Sequence, residues 1–303
     1  MIGDRPWDAR IDDAWGRWRY ERLLPRAARS ARAGRAYARL VGRVELWRDP
    51  VRRRVAVERI ARWRRVSDAD AERIFRASLV SEAQEEADSV RFIQDDGAFR
   101  RWLADAAEVP PVSGPVIFAS LHLGTPVLGF LYLRDASPLD VHAIVRGLDD
   151  ANPMISPKRR WGERKVAWLR ERAGGAILGV DAVATAAARE HLRAGRAIFA
   201  ALDIPGEVAA RTAEVELGGE RLRFSSGVVR LAELTRSTLV PMIALGGGER
   251  MRVHFGRPIA AVSSTDPFQE VFAELARFID RFPEEWWLWP LVHPIRDETT
   301  LSR

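Results

Sequence analysis

The chain has 303 residues, 47% of them hydrophobic and 30% charged, which suits a sizeable core in a protein that is soluble or peripherally attached. Cysteine is absent, which excludes a disulfide framework, a thiolate metal site and a cysteine nucleophile. The net charge of +6, carried mostly by arginine, attracts phosphate but does not choose among lipid headgroups, nucleic acid, coenzyme A and an acidic carrier protein.

The start of the chain is polar and acidic, so no signal peptide is expected. No run of about 18 apolar residues occurs, so no transmembrane helix is expected either. These readings favour a cytoplasmic protein, free or peripheral on the inner face of the membrane.

Residues 1–108 read as a helical region. Trp15, Trp18, Arg19, Leu23 and Leu24 recur at helical spacing, as do Tyr37, Leu40, Val41, Val44 and Trp47. Ser67, followed by Asp68 and Asp70, opens a further helix as its N-cap, and Ser81 with Glu82 gives a similar start. Pro110, Pro111, Gly114 and Pro115 then break the pattern.

From residue 109 onward the rhythm changes to alternating strands and helices. Strands are predicted over 116–120, 140–145, 176–180, 196–203, 238–245 and, as an edge, 251–255. Helices are predicted over 159–172, 183–193, 226–234 and 268–281. A hairpin is expected around Gly218 and Gly219. The apolar stretch 128–133 suits a buried strand or a short core helix. The alternation implies an α/β domain with a mixed central sheet flanked by helices.

The order of motifs after residue 110 resembles the lipid A/lysophospholipid acyltransferase family. The segment from Gly114 through Val116, Ile117 and Phe118 to His122 and Gly124 looks like that family's strand delivering a catalytic His. The stretch Arg146 to Pro153 resembles its second block. The segment from Leu192 to Asp203 and Gly206 resembles its leucine–glycine–strand–Asp block. Phe224, Ser225, Ser226 and Gly227, then Leu231, Ala232 and 239–241, resemble the substrate-side block and the strand after it. Residues 282–289, with Trp286, Trp287 and Trp289, resemble its C-terminal signature. The resemblance covers roughly 50–295 and implies a glycerolphosphate-acyltransferase-like fold.

It also implies acyl transfer from a thioester, acyl-CoA or acyl-carrier protein as co-substrate, to a hydroxyl or amine of a lipid or specialised metabolite. No cofactor, metal or nucleic acid is implied. His122 is the general base, and Arg146, Arg164, Phe224, Ser225, Ser226 and Gly227 are the substrate-binding candidates, the arginines for phosphate. The family's hallmark places Asp or Glu five positions after the His; this chain has Val127 there. Three readings stay open. Another carboxylate substitutes, with Asp203 as the candidate; the His works alone; or catalysis is lost, leaving a non-catalytic acyl-chain or carrier-protein binding protein. A long acyl chain calls for a tunnel or groove that buries its methylenes, at about 0.8 kcal/mol each.

Other features read as structural. His142, His191 and His254 show no ligand spacing with acidic neighbours, so no metal site is expected. Gly246, Gly247 and Gly248 read as a hairpin turn, and Ser225–Ser226 lacks the context of a nucleophile elbow. Arg159 and Arg160 read as a solvated helix face. At least one of the three C-terminal tryptophans is expected in the core. The N-terminal tryptophans and arginines suit either a basic amphipathic surface helix or helices packed over the α/β domain.

Overall fold

The computed structural model describes residues 6–103, 108–145, 156–179 and 182–295. Helices come first: α1 (Pro6–Arg17), a π-helical turn (Trp18–Leu23), α2 (Leu24–Ala27), α3 (Ala31–Arg48), α4 (Pro50–Arg64), α5 (Asp68–Gln94) and α6 (Asp96–Trp102). Their starts are written in capping side chains. Ser30 accepts from the Ala33 N–H, Asp49 from Arg52, Ser67 from Asp70 and Asp95 from Ala98. Ser81 is no such cap. Helix α5 runs straight through it for 27 residues, and its hydroxyl donates to the Glu285 carboxylate instead. A serine with acidic followers starts a helix only where the preceding backbone is not already helical.

The α/β part follows as β1 (Val116–Ser120), α7 (Pro126–Ala136), β2 (Val141–Ile144), α8 (Ser156–Arg172), β3 (Ile177–Leu178), α9 (Ala182–Arg193) and β4 (Ala197–Ala201). A hairpin, β5 (Thr212–Leu217) and β6 (Glu220–Ser225), turns at Gly218 and Gly219, both at positive φ. Then come α10 (Gly227–Thr235), β7 (Thr238–Leu245), β8 (Arg252–Phe255), β9 (Ile259–Ala260) and α11 (Pro267–Arg281). The central sheet has seven strands in the order β3-β2-β4-β1-β7-β8, with β9 also on β7. The first five are parallel and the last two antiparallel. The sheet is therefore mixed and flanked by helices, as expected.

Strand β1 sits at the middle, and all five of its residues are buried. Its side chains alternate between two cores. Ile117 and Ala119 join a cluster with Trp63, Phe75, Phe272, Trp286 and Trp289. Val116 and Phe118 join one with Phe99, Trp102, Phe130 and Met242. Trp286 and Trp289 are both 0% exposed, so they are core; burying an indole contributes on the order of 4 kcal/mol before chain entropy is counted. The first cluster contains residues of α4 and α5, so the N-terminal helices share a core with the sheet.

A third cluster holds the N-terminal helices together around Tyr20, Leu24, Tyr37 and Val41. Within it Arg19 donates to both Glu86 and Glu45, and Tyr20 and Tyr37 also donate to Glu86. Not all of the predicted apolar stripe turns inward: Leu40, Trp18 and Trp47 are exposed. Among the described residues no helix is long and apolar enough to cross a membrane.

Candidate active site

Strands β1 and β4 run parallel and in register, Ser120 opposite Ala201. Continuing two residues beyond each pair brings His122 and Asp203 out at the same carboxyl end of the sheet, the end where open α/β sheets carry their ligands. Asp203 is fully buried, and its Oδ1 lies 2.8 Å from His122 Nδ1. Its Oδ2 accepts the His122 backbone N–H at 2.8 Å and Trp286 Nε1–H at 2.9 Å. A carboxylate only accepts, so Nδ1 carries the proton and Nε2 keeps its lone pair. Three donors fix the carboxylate, and the carboxylate fixes the ring.

The loop bearing His122 is clamped from both sides. Trp287 N–H donates to the His122 carbonyl, Gly124 N–H to the Glu285 carbonyl, and Thr125 N–H to the Ala244 carbonyl at the end of β7. Gly124 adopts φ +67°, and a Cβ there would lie 2.3 Å from the Ala244 oxygen, so only glycine fits. Pro126 then starts α7 at its first turn. Val127, which stands where the family acid would be, is half-buried against the core on the other side of the sheet.

The His122 side chain remains 33% exposed. Burial alone would favour the neutral ring, but the Asp203 charge and hydrogen bond outweigh it, with Glu85 and Glu82 adding to them, so the His122 pKa is raised above its ordinary value. Those two glutamates belong to α5 and are held by Lys165 and Lys158 of α8.

Beside this loop lies an open cleft of about 490 Å³, within the range of small-molecule sites. Gly124 and Thr125 form part of its wall; Arg35 and Arg39 of α3 and Arg73 and Arg76 of α5 stand around it, with Glu85 and Asp88 also on the wall. Arg73 pairs with Asp70. Arg35, Arg39 and Arg76 have no ion-pair partner among the described residues and are exposed. The cleft is therefore an open groove rimmed by arginines. The arginines recur at i,i+4 on α3 and i,i+3 on α5, a spacing that puts each pair on one helix face. The sequence carried that signal, but not that the two faces meet.

The remaining sequence candidates divide. Arg146, with the rest of its block up to Pro153, lies outside the described residues. Arg164 is exposed on α8 and is not on the cleft wall. Phe224 is corrected: its ring is 0% exposed and stacks on Phe272 at 4.8 Å, so it is core, because the alternation of β6 turns it inward. Ser225 and Ser226 are half-buried and Gly227 exposed. The Ser225 N–H donates to the carbonyl of Ile204, next to Asp203, so this block adjoins the acid and does not line the cleft.

One further grouping is not visible in the local sequence pattern. Asp140, His142 and His191 present ligand-type atoms that all lie within 4.8 Å of one another. Residues 142 and 191 are 49 apart in sequence, and only the packing of α9 beside β2 unites them.

No protein-family model and no curated protein matches the chain.

Proposed function

We propose that the protein is a thioester-dependent acyltransferase of the lipid A/lysophospholipid acyltransferase type, with a glycerolphosphate-acyltransferase-like arrangement of its α/β part. The observation that carries this reading is the His122–Asp203 hydrogen bond at 2.8 Å, which supplies the acid that Val127 removes from its usual position.

In the proposed reaction His122 Nε2 takes the proton of an acceptor hydroxyl or amine as the acceptor oxygen or nitrogen attacks the thioester carbonyl carbon. The C–S bond breaks when the tetrahedral intermediate collapses, and the thiolate leaves and takes the proton back from the imidazolium. Asp203 holds the ring in the tautomer that leaves Nε2 free and stabilises the charged ring between the two steps. Arg35, Arg39 and Arg76 offer guanidinium groups to phosphate on the donor's coenzyme A or carrier arm.

Because the chain has no cysteine, release of thiol can be followed with a thiol-reactive dye without background from the protein. The expected result is thiol release from acyl-CoA or acyl-carrier protein on adding acceptor, lost in His122→Ala. Thiol release unchanged in that variant would remove the proposal. Donor binding without release by the native chain would favour the non-catalytic binding protein instead.

A further inference from the structure

A second group of chemistry-bearing side chains lies at the opposite, amino-terminal end of the sheet. Asp140 and His142 sit at the start of β2, two residues apart and so on one face of the strand. His191 comes from the last turn of α9. Val141 is in register with Ala197, the first residue of β4, whereas Asp203 follows the last. At about 3.3 Å per residue the group is on the order of 20 Å from the dyad.

Its ligand-type atoms all lie within 4.8 Å of one another. The two imidazoles are 3.7 Å apart between ring centres, tilted by 46°. His191 is 7% exposed, and its Nε2 is buried with no hydrogen-bond partner. The Nδ1 of His142 is likewise buried and unpartnered. A buried ring nitrogen without a partner is a cost that a fold normally removes. Arginines stand close by, with Arg134 Nη1 2.7 Å from Asp140 Oδ1 and Arg196 Nη1 3.3 Å from His191 Nδ1.

We propose that Asp140, His142 and His191 form a site for a borderline divalent transition metal, Zn²⁺ or a similar ion, tying β2 to the end of α9. His142 Nε2 and Asp140 Oδ2 are already 3.4 Å apart, close to the roughly 3.4 Å that separates two ligands in a tetrahedral shell with bonds of about 2.0–2.2 Å. Two imidazoles and one carboxylate are a donor set such ions accept, with the remaining position left to water. The carbonyl end of α9 favours a cation beside it. Arg134 occupies the other carboxylate oxygen and would serve as the outer partner that orients a ligating carboxylate. Arg196, whose Nε is 3.7 Å from Asp140 Oδ2, competes with the metal; its side chain is 51% exposed and can swing into solvent.

The test uses the full-length chain without a histidine tag, stripped with chelator and titrated with Zn²⁺ by calorimetry and with Co²⁺ by visible absorption. We expect about one equivalent bound, a Co²⁺ spectrum with nitrogen ligation, and a rise in melting temperature. Asp140→Asn and His142→Gln, both at partly exposed positions, should each weaken Zn²⁺ at least tenfold with an unchanged circular dichroism spectrum. Arg196→Ala should bind more tightly than the native chain. No uptake at micromolar Zn²⁺ overturns the proposal. Uptake whose affinity is the same in native chain, Asp140→Asn and His142→Gln overturns it too. If a substitution disturbs folding, the native titration and the Arg196→Ala comparison decide.

Discussion

The Asp203 carboxylate meets His122 twice, one oxygen at the ring Nδ1 and the other at the residue's own backbone N–H, each at 2.8 Å. The second contact matters as much as the first. It fixes the main chain from which the imidazole projects, so the ring has little freedom to leave the carboxylate. Trp286 occupies the remaining direction on Oδ2, which keeps water away from the buried acid.

Asp203→Asn keeps the shape and removes the charge. We expect kcat to fall by about 10²–10⁴-fold, with a smaller change in KM. The acid limb of the rate profile should also move. The reacting form is the neutral ring, so activity rises as pH passes the His122 pKa, which the native chain holds above the ordinary value of 6.5. In Asp203→Asn burial is opposed far less, and the inflection should shift to lower pH. The linked stability has the opposite sense. A raised histidine pKa adds stability fully present below about pH 6.5 and lost as pH rises through the folded value. An inflection at the same pH in both proteins would count against the pairing.

Gly124→Ala places a Cβ 2.3 Å from the Ala244 oxygen at a backbone angle that favours glycine. A destabilisation of about 2–4 kcal/mol is expected in urea unfolding, with activity falling further because the same loop carries His122. Gly195→Ala is the control. Its φ is +74° with nothing within 4 Å of the added carbon, so it should cost only about 1 kcal/mol.

The arginine ring is tested by Arg35→Ala and Arg39→Ala. If each guanidinium meets donor phosphate, KM for the thioester should rise about tenfold per residue with kcat largely retained, and the native chain should lose donor affinity as salt is added. A short-chain thioester lacking phosphate should show neither effect. Equal losses on both donors would argue for a structural role.

Asp88 gives a stability prediction of opposite sign to the usual carboxylate. Burial, only partly offset by hydrogen bonds from Gln84 and the Gly247 N–H, raises its pKa from 3.8 to about 6. The folded chain therefore holds this proton more tightly than the unfolded one, and stability declines as pH climbs from about 4 to about 6. Asp88→Asn removes that decline. Urea denaturation should find the variant more stable than the native chain at pH 7, by on the order of 1–3 kcal/mol, with the gap closing toward pH 4.

The sequence by itself determined the elements. Period-two and period-3.6 patterns are local, so β1, the hairpin at Gly218, the strand over 238–245 and the helix ended by Arg281 could be read within a residue or two. The alternation after residue 109 carried the α/β architecture for the same reason. The motif order pointed to His122, and Asp203 could be named because it too follows a strand, and parallel strands of an α/β sheet carry their ligand residues at the same end.

What local patterns cannot contain is which surfaces meet. That Trp286 donates to Asp203 from 83 residues away, that α3 and α5 pool their arginines, and that α9 lays His191 against His142 are decided by packing. Ser81 and Phe224 show the same limit from the other side. A side chain that reads as a cap or a substrate contact is reassigned when tertiary structure continues the helix through it or turns it into the core. Long-range contacts depend on the whole three-dimensional arrangement of apolar surface, which no window of a dozen residues records.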